Sequence, residues 1–167
     1  AIMIKVKQSN AVSAYNVLKQ IKTKELPAEV AIAIWKNVKV LKPIATSYEE
    51  AIKDSKESLK DSNDEEMSKL LAELQKKETD EAAGKYTFTR IDNENRVKVT
   101  EYYSNAQNKL NTFIKELDDK EVEIEHTTIN EDDLIKALIG TDFNIGVIEL
   151  IDFLFEDATK ADDKEDK

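Results

Sequence analysis

Apolar residues recur at alternating intervals of three and four from about Leu26 to Lys60 of this 167-residue sequence. This spacing keeps them on one face of an α-helix. Pro27 fits the first position of such a helix, because its missing N–H would have no partner there. The pattern predicts one long helix, whose apolar line is Ala31, Ile34, Val38, Leu41, Ala45, Tyr48, Ile52, Ser55 and Leu59.

Pro43 lies inside this predicted helix. A proline in a helix interior removes a backbone hydrogen bond and clashes with the preceding turn, at a cost of about 3 kcal/mol. The apolar repeat nevertheless keeps its phase across Pro43, whereas a loop would be expected to reset it. We predict a continuous helix with a kink, and a break is the alternative. A second apolar flank, where other elements are expected to pack, comprises Ile32, Trp35, Val40 and Ile44.

A second long helix is predicted over residues 99–117, where the same alternation recurs. Its apolar line comprises Val99, Tyr103, Ala106, Leu110, Phe113 and Leu117. A helix as long as the first one needs an equally long partner to cover its apolar face. We therefore expect the two helices to form an antiparallel pair with a shallow, coiled-coil-like crossing angle.

Two short segments alternate with the period of two that is typical of a strand, IMIKVK at residues 2–7 and EVEIEHT at residues 121–127. We expect them to pair in a small sheet, with Lys5 and Lys7 facing the glutamates of the second strand. A helix is predicted over residues 11–21, with Ser9 or Asn10 as its N-cap.

Residues 61–98 interrupt the helical pattern between the two long helices. A short helix is predicted around Met67, Leu70, Leu71 and Leu74, and it ends at Gly84. The alternating YTFTRI, the turn-rich DNEN and the following RVKV then predict a β-hairpin. This excursion is the expected tip of the helical hairpin.

The carboxy-terminal part begins with Asn130, which is placed to cap a helix with acids in its first turn. The next segment is so apolar that it must be buried, either under the sheet or against another copy of the chain. The candidate self-association residues are Phe143, Ile148, Ile151, Leu154 and Phe155. Residues 157–167 form a charged tail that we expect to be disordered.

These elements predict an α+β protein that is mostly α. The architecture expected is a long antiparallel helical hairpin with a two-stranded sheet at its base and a hairpin-bearing excursion at its tip. Residues 1–60 and 99–156 would form the main domain, and residues 61–98 would be inserted in it.

The charge pattern points to protein partners. The net charge is −10, yet residues 1–47 carry eight Lys against two Glu, and residues 116–133 carry nine acids against one Lys. Such asymmetry favours an internal salt-bridged contact or head-to-tail association, and it argues against nucleic-acid binding. A candidate acidic partner surface comprises Glu121, Glu123, Glu125, Asp132 and Asp133. The chain has no apolar run long enough to cross a membrane, and its lack of cysteine suits the cytoplasm.

No catalytic, cofactor or metal signature is present in the sequence. His126 follows three glutamates on one strand, and we expect a solvated face there rather than a metal site. The three glycines are isolated, which excludes the common phosphate-binding loops. Asn37 lies beside the apolar line, either half-exposed at its boundary or buried to fix the helix register.

Two segments, LPAEVAIAIWKNVKVLKP at residues 26–43 and EVEIEHTTINEDDL at residues 121–134, resemble a family of small uncharacterised proteins of tailed bacteriophages and prophages. The resemblance implies no catalytic or binding residue. Together with the lack of any chemical signature, the resemblance leads us to expect a non-enzymatic, phage-encoded component of protein–protein interaction or assembly that self-associates, located in the bacterial host cytoplasm or on the virion. The alternative is an inhibitor or modulator of a host protein that acts through the acidic surface. An enzyme is the least favoured class.

Overall fold

The computed structural model describes residues 2–155, so the predicted disordered tail lies outside the described residues. The fold is α+β and mostly helical, as predicted. In chain order the elements are β1 (Ile2–Lys7), α1 (Gln8–Gln20), α2 (Ala28–Ser58), α3 (Asp64–Ala82), α4 (Arg90–Asp119), β2 (Glu121–His126), α5 (Glu131–Leu138) and a 3₁₀ segment (Ile145–Leu154).

The chain divides into two compact units. The discontinuous unit comprises Ala1–Glu50 and Glu116–Lys167, and the inserted unit comprises Ala51–Lys115. The helices α2 and α4 each contribute residues to both units. The boundaries fall inside the two long helices, whereas the sequence pattern placed them near residues 60 and 99.

The strands β1 and β2 pair antiparallel, with Lys5 opposite Glu123, which confirms the predicted sheet. The pairing continues one step beyond the strands, because the Gln8 N–H donates to the Lys120 carbonyl oxygen at 2.7 Å. Backbone-bonded pairs alternate with non-bonded pairs in an antiparallel ladder. The even-numbered residues of both strands therefore bond across the sheet, and the odd-numbered residues direct their N–H and C=O groups away from the partner strand.

The helix α1 begins immediately after β1, at Gln8 rather than at residue 11. Neither Ser9 nor Asn10 caps it, which corrects the predicted start, since Lys7 holds the N-cap position without a side-chain bond. Gln8 is buried, and its Nε2 donates to the Leu117 carbonyl oxygen at 2.9 Å. The end of α4 is thereby tied to the first turn of α1.

The core of the discontinuous unit joins α1, the first half of α2, β2, α5 and the 3₁₀ segment. Four of the five candidate self-association residues, Ile148, Ile151, Leu154 and Phe155, are buried in it, and Phe143 is half-buried against it. Burial within the chain was one of the two expected outcomes, and it is the one observed. The predicted self-association surface is wrong in this respect, because the core already covers these side chains.

The helix α2 runs unbroken through Pro43, which excludes the alternative of a break. Pro43 lies on the exposed side of the helix. The missing N–H would have donated to the carbonyl oxygen of Lys39, and Lys39 is an exposed residue as well. The apolar line survives because the proline disturbs only the solvated face.

Asn37 is buried and links α2 to the segment after β2. Its Nδ2 donates to the Thr127 carbonyl oxygen at 2.6 Å, and its Oδ1 accepts from the Thr127 N–H at 2.9 Å. The carboxamide thus satisfies both backbone groups of Thr127, as the peptide of a neighbouring strand would. Of the two interpretations of Asn37, burial is correct. Its role differs from the predicted one, because it fixes the segment after β2 on α2 and does not set the register between two helices.

The inserted unit contains α3 and most of α4, packed around Met67, Leu74 and Val99. The polar pairs run in opposite order along the two helices: Tyr102 Oη donates to Asp64 at 2.9 Å, and Arg96 contacts Glu78 at 3.5 Å. The two helices are therefore antiparallel within this unit.

The predicted β-hairpin is wrong. The residues before Arg90 are irregular, and α4 begins at Arg90, so the RVKV segment is helical. A reciprocal cap starts the helix: Asp92 N–H donates to Thr89 Oγ1 at 3.1 Å, and Thr89 N–H donates to the Asp92 carboxylate at 2.9 Å. Such a capping box satisfies two amides that otherwise lack partners. It outweighs the strand-like alternation of YTFTRI.

Asp92 is buried and holds the start of α4 against α3. Its carboxylate accepts hydrogen bonds from Lys77 Nζ at 2.7 Å and from Tyr86 Oη. The bond from Lys77, followed by those from the Thr89 N–H and Tyr86, holds the pKa of Asp92 well below its usual range. A charge buried in this way is stabilised only because it is fully paired.

The predicted apolar line of α4 is confirmed, since Val99 and Leu110 are buried and its other members are half-buried. In the discontinuous unit, α2 and α4 are joined by the bond from Tyr48 Oη to the Asp118 carboxylate, at 2.7 Å. Pairing of the two long helices along their whole length stays a prediction.

Candidate interaction surfaces

The largest exposed apolar side chain of the discontinuous unit is Trp35, the only tryptophan in the chain. Trp35 is 60% exposed and Ile32, one helical turn before it, is 52% exposed. The Lys39 Nζ lies 5.2 Å from the centre of the indole ring, one turn further along the helix. These three residues, named here the Trp35 patch, form a continuous strip on α2.

The Trp35 patch corrects the predicted second flank of α2. Val40 and Ile44 pack against the core as expected, but Ile32 and Trp35 do not. The buried residues of α2 are Val30, Ala33, Ile34, Asn37, Leu41 and Ala45. At about 100° per residue, Ile32 and Trp35 lie on the opposite side of the helix from the middle of that set. No other described element covers that side.

The surroundings of the Trp35 patch are basic. Lys36, Lys39 and Lys42 are exposed on the same half of α2, whereas the only acid in that half of the helix is Glu29 in its first turn. A lysine over an indole face is held by the quadrupole of the ring, and this also limits the conformations of the ring. The patch therefore combines a flat apolar surface with a positive rim.

The candidate acidic surface is divided between two elements. Glu121, Glu123 and Glu125 are exposed on the outer face of β2. Asp132 and Asp133 are exposed in the first turn of α5, where the Asn130 side chain accepts from the Asp133 N–H at 3.0 Å, as predicted. The acids of α5 thus have a local role as helix-terminal charges.

The glutamates of β2 meet the lysines of β1 only in part. Lys5 Nζ lies 3.8 Å from Glu123, as expected, but Lys7 pairs with Asp119 at 3.7 Å rather than with a strand glutamate. All four side chains are more than half exposed. Pairs of this kind contribute little to stability and remain open to exchange with a partner's charges.

His126 is buried, which corrects the expectation of a solvated face. The alternation of β2 places Val122, Ile124 and His126 on the inner face, opposite to the glutamates. His126 therefore belongs to the core side of the sheet. Within residues 2–155, no group of three histidine, aspartate or glutamate side chains is arranged to hold a metal ion.

Two of the clefts on the described part of the discontinuous unit lie beside elements of these surfaces. One of about 320 Å³ lies between the loop before α2 and the end of α5, and it includes Lys22, Lys24, Leu26 and the candidate residue Phe143. The other, of about 410 Å³, lies against β1.

The sequence interpretation missed the pairing of Asn37 with Thr127 and the cluster around Asp92. The Asp92 cluster carries a signal that could have revealed it, because Thr89 and Asp92 have the spacing of a capping box. The burial of His126 could have been predicted from its even position on β2. The contact of Asn37 has no local signal, because Thr127 lies 90 residues away in the sequence.

A comparison with protein-family models, curated proteins and solved structures gives no match. The structure shows a mostly helical α+β protein with an exposed apolar patch on α2 and an exposed row of glutamates on β2. Among the described helices, none is both long and apolar enough to cross a membrane.

Proposed function

We propose that this chain is a non-enzymatic protein-binding module and that the Trp35 patch is its main contact surface. The observation that carries the proposal is the exposure of Trp35 and Ile32 side by side on α2. Leaving two large apolar side chains in water forgoes the favourable free energy of burying them. A protein partner would recover that free energy.

Tryptophan is the residue type most enriched where interface energy is concentrated. Its ring buries a large area, and only two side-chain torsions are fixed on binding. Lys39 restrains Trp35 before binding, which lowers the entropy lost in the complex. The expected partner offers an apolar pocket for the indole ring, rimmed by acids that complement Lys36, Lys39 and Lys42.

The test begins with affinity capture of the tagged protein from bacterial lysates, with and without phage infection, followed by identification of captured proteins by mass spectrometry. The identified partner is then titrated against the purified chain. Burial of the sole tryptophan should shift its fluorescence emission to the blue as the complex forms. The emission therefore reports directly on the proposed contact.

Trp35→Ala should weaken binding by at least about 2 kcal/mol, which is roughly 30-fold in Kd. The matched control is Ile91→Ala, because Ile91 is 67% exposed but belongs to the inserted unit. It should leave Kd within about twofold of wild type. A partner that binds the Trp35→Ala variant as tightly as wild type would exclude the Trp35 patch as the contact surface.

A second candidate function is inhibition or modulation of a host protein through the acidic surface. The observation that favours it is the exposure of Glu121, Glu123 and Glu125 as one row on the outer face of β2. Binding through such a row should weaken steeply between low and high salt, because exposed charges are screened. Salt-insensitive binding would speak against this candidate.

We also propose that the chain is of bacteriophage origin, that it is located in the host cytoplasm or on the virion, and that it self-associates. The bacteriophage origin and the host cytoplasm or virion as the location rest on the resemblance alone. Self-association, if it occurs, would use the Trp35 patch or the oppositely charged surfaces, since the apolar carboxy-terminal residues are buried. Light scattering of wild type and Trp35→Ala over a range of concentrations tests it.

A further inference from the structure

We propose that the outer edge of β1 is a docking site for an extended peptide in which acidic and apolar residues alternate. The peptide would add a third strand to the two-stranded sheet. This surface is separate from the Trp35 patch, so the inference does not depend on it. Four observations support the proposal, namely the hydrogen-bonding pattern of β1, the cleft beside it, its side-chain charges and the sequence of β2.

Within residues 2–155, alternate backbone N–H and C=O groups of β1 have no partner strand. In the part of the chain that the structure describes, β1 pairs with β2 alone. Because the Gln8 and Lys120 pair is a bonded one, the N–H and C=O groups of Met3, Lys5 and Lys7 point away from β2. Such a row is the template on which an added strand forms its main-chain bonds.

Space for a strand is available next to β1. A cleft of about 410 Å³ is bordered by residues Lys5 to Lys7, by Asn10 and Ser13 of α1, and by the 3₁₀ segment. Of β2, only Glu121 at its first position borders the cleft, so the cleft lies toward the β1 side of the sheet. On the inner face, Ile4 is half-buried while its partner Ile124 is buried, and Val6 and its partner Val122 are both half-buried. The cleft is therefore the observation that places open space beside β1.

The walls of the cleft specify which side chains would fit on each face of an added strand. On the inner side, Leu150 is 43% exposed and Phe153 is half-buried, and both offer apolar contact. Glu149 and Asp152 are also on this wall, so acidic residues are disfavoured there. On the outer face, Lys5 and Lys7 are exposed, and their pairs with Glu123 and Asp119 are open to water, so both lysines would also attract acids on an added strand. The cleft thus favours a peptide strand whose inward side chains are apolar and whose outward side chains are acidic.

The strand β2 already shows that β1 accepts this pattern. Its sequence EVEIEH alternates glutamate with apolar residues, and Glu123 pairs with Lys5 across the sheet. A second copy of the chain that approached through its own β1 would instead bring lysines close to lysines, which is unfavourable. Charge complementarity therefore selects an acidic, alternating peptide rather than another β1.

The test uses a capped synthetic peptide with the sequence of residues 120–127, KEVEIEHT, added to the ¹⁵N-labelled full-length chain up to about 2 mM. We expect saturable shifts of the backbone amide signals, confined to β1, the start of α1 and the 3₁₀ segment. The binding should weaken as salt is added. A control peptide with lysine at the three glutamate positions should cause no saturable shift.

Two variants make the test specific. Lys5→Pro removes an outward N–H but none of the bonds to β2, which come from even-numbered residues, and it should weaken peptide binding by about tenfold or more. Lys5→Gln is the matched control, which keeps the N–H and should lose only the charge contribution. Should Lys5→Pro not fold, the double variant Lys5→Glu and Lys7→Glu replaces it, and this variant should bind the lysine peptide in preference to the glutamate peptide.

Several results would overturn the proposal. One is the absence of saturable shifts at the highest peptide concentration, and another is an equal response to the glutamate and lysine peptides. Shifts located away from β1 would also exclude the edge. Dimerisation of the chain without peptide, abolished by Lys5→Pro, would assign the edge to a second copy instead of an acidic peptide.

Discussion

The loss of the Asn37 side chain should destabilise the discontinuous unit, because its carboxamide bonds both backbone groups of Thr127. Asn37→Ala removes the two hydrogen bonds to Thr127, whose N–H and C=O groups are then left without their partner. The bond from Asn37 to the Ala33 carbonyl oxygen, at 2.9 Å, is lost as well, but that oxygen is a helix acceptor. The loss of stability in Asn37→Ala therefore arises mainly from the unpaired backbone groups of Thr127.

Each buried group that loses its partner costs about 1–3 kcal/mol. Thr127 is half-buried, so water reaches it in part and the lower half of that range applies. We expect Asn37→Ala to reduce the free energy of unfolding by about 2–4 kcal/mol. For a chain of this size, that is a decrease in Tm of roughly 5–15 °C.

The assay is urea denaturation followed by far-UV circular dichroism. Tryptophan fluorescence is less suitable for this measurement, because Trp35 is already exposed in the folded chain. The matched control is Asn16→Ala, which removes an exposed asparagine from α1 of the same unit. A loss for Asn37→Ala no larger than that of the control would refute the argument that these bonds hold the segment after β2.

Three further predictions concern other parts of the fold. Pro43→Ala should stabilise the chain by about 1–3 kcal/mol in urea denaturation, since it restores an N–H donor for the Lys39 carbonyl oxygen. An unchanged denaturation midpoint would show that the missing hydrogen bond on the exposed side of α2 costs no stability. Burial and the bond to Asp118 raise the pKa of Tyr48 to about 12. Because the folded chain favours the neutral phenol, the contribution of Tyr48 to the free energy of unfolding should be present below pH 10 and lost as the pH rises toward 12. When the free energy of unfolding is measured against pH, Tyr48→Phe should lack this loss between pH 10 and 12. The pKa of Asp92 is lowered, so its contribution to the free energy of unfolding should be lost as the pH falls below 3.8. Hydrogen exchange of the inserted unit should show that Asp92→Asn is less stable than wild type at neutral pH and loses less stability as the pH falls.

The regular elements of this chain follow from local patterns. The alternation of β1 and β2, the apolar lines of α2 and α4, and the cap at Asn130 are each visible within a few residues. Hydrophobic periodicity reports which side of an element is buried and thus suffices for them. The continuity of α2 through Pro43 could also be predicted, because the apolar phase is unbroken there.

The remaining features depend on residues that are distant in the sequence. Whether Trp35 is covered depends on which other element reaches that side of α2, and no pattern near Trp35 contains that information. The burial of the residues after Phe143 could be predicted, but whether another copy or the same chain covers them could not. At Thr89, two local signals compete, and the capping bonds to Asp92 outweigh the strand propensity of the preceding aromatic residues.

The bond between Tyr48 and Asp118 has a consequence for how this chain could change over evolution. It joins α2 and α4 close to residues 50 and 116, where the chain leaves and re-enters the discontinuous unit. The two ends of the insertion therefore start from neighbouring points, and a flexible connection of about eight residues, which spans roughly 15 Å, could join them. Residues 51–115 would then be a replaceable cassette that relatives could shorten, exchange or delete while keeping the surfaces on the discontinuous unit.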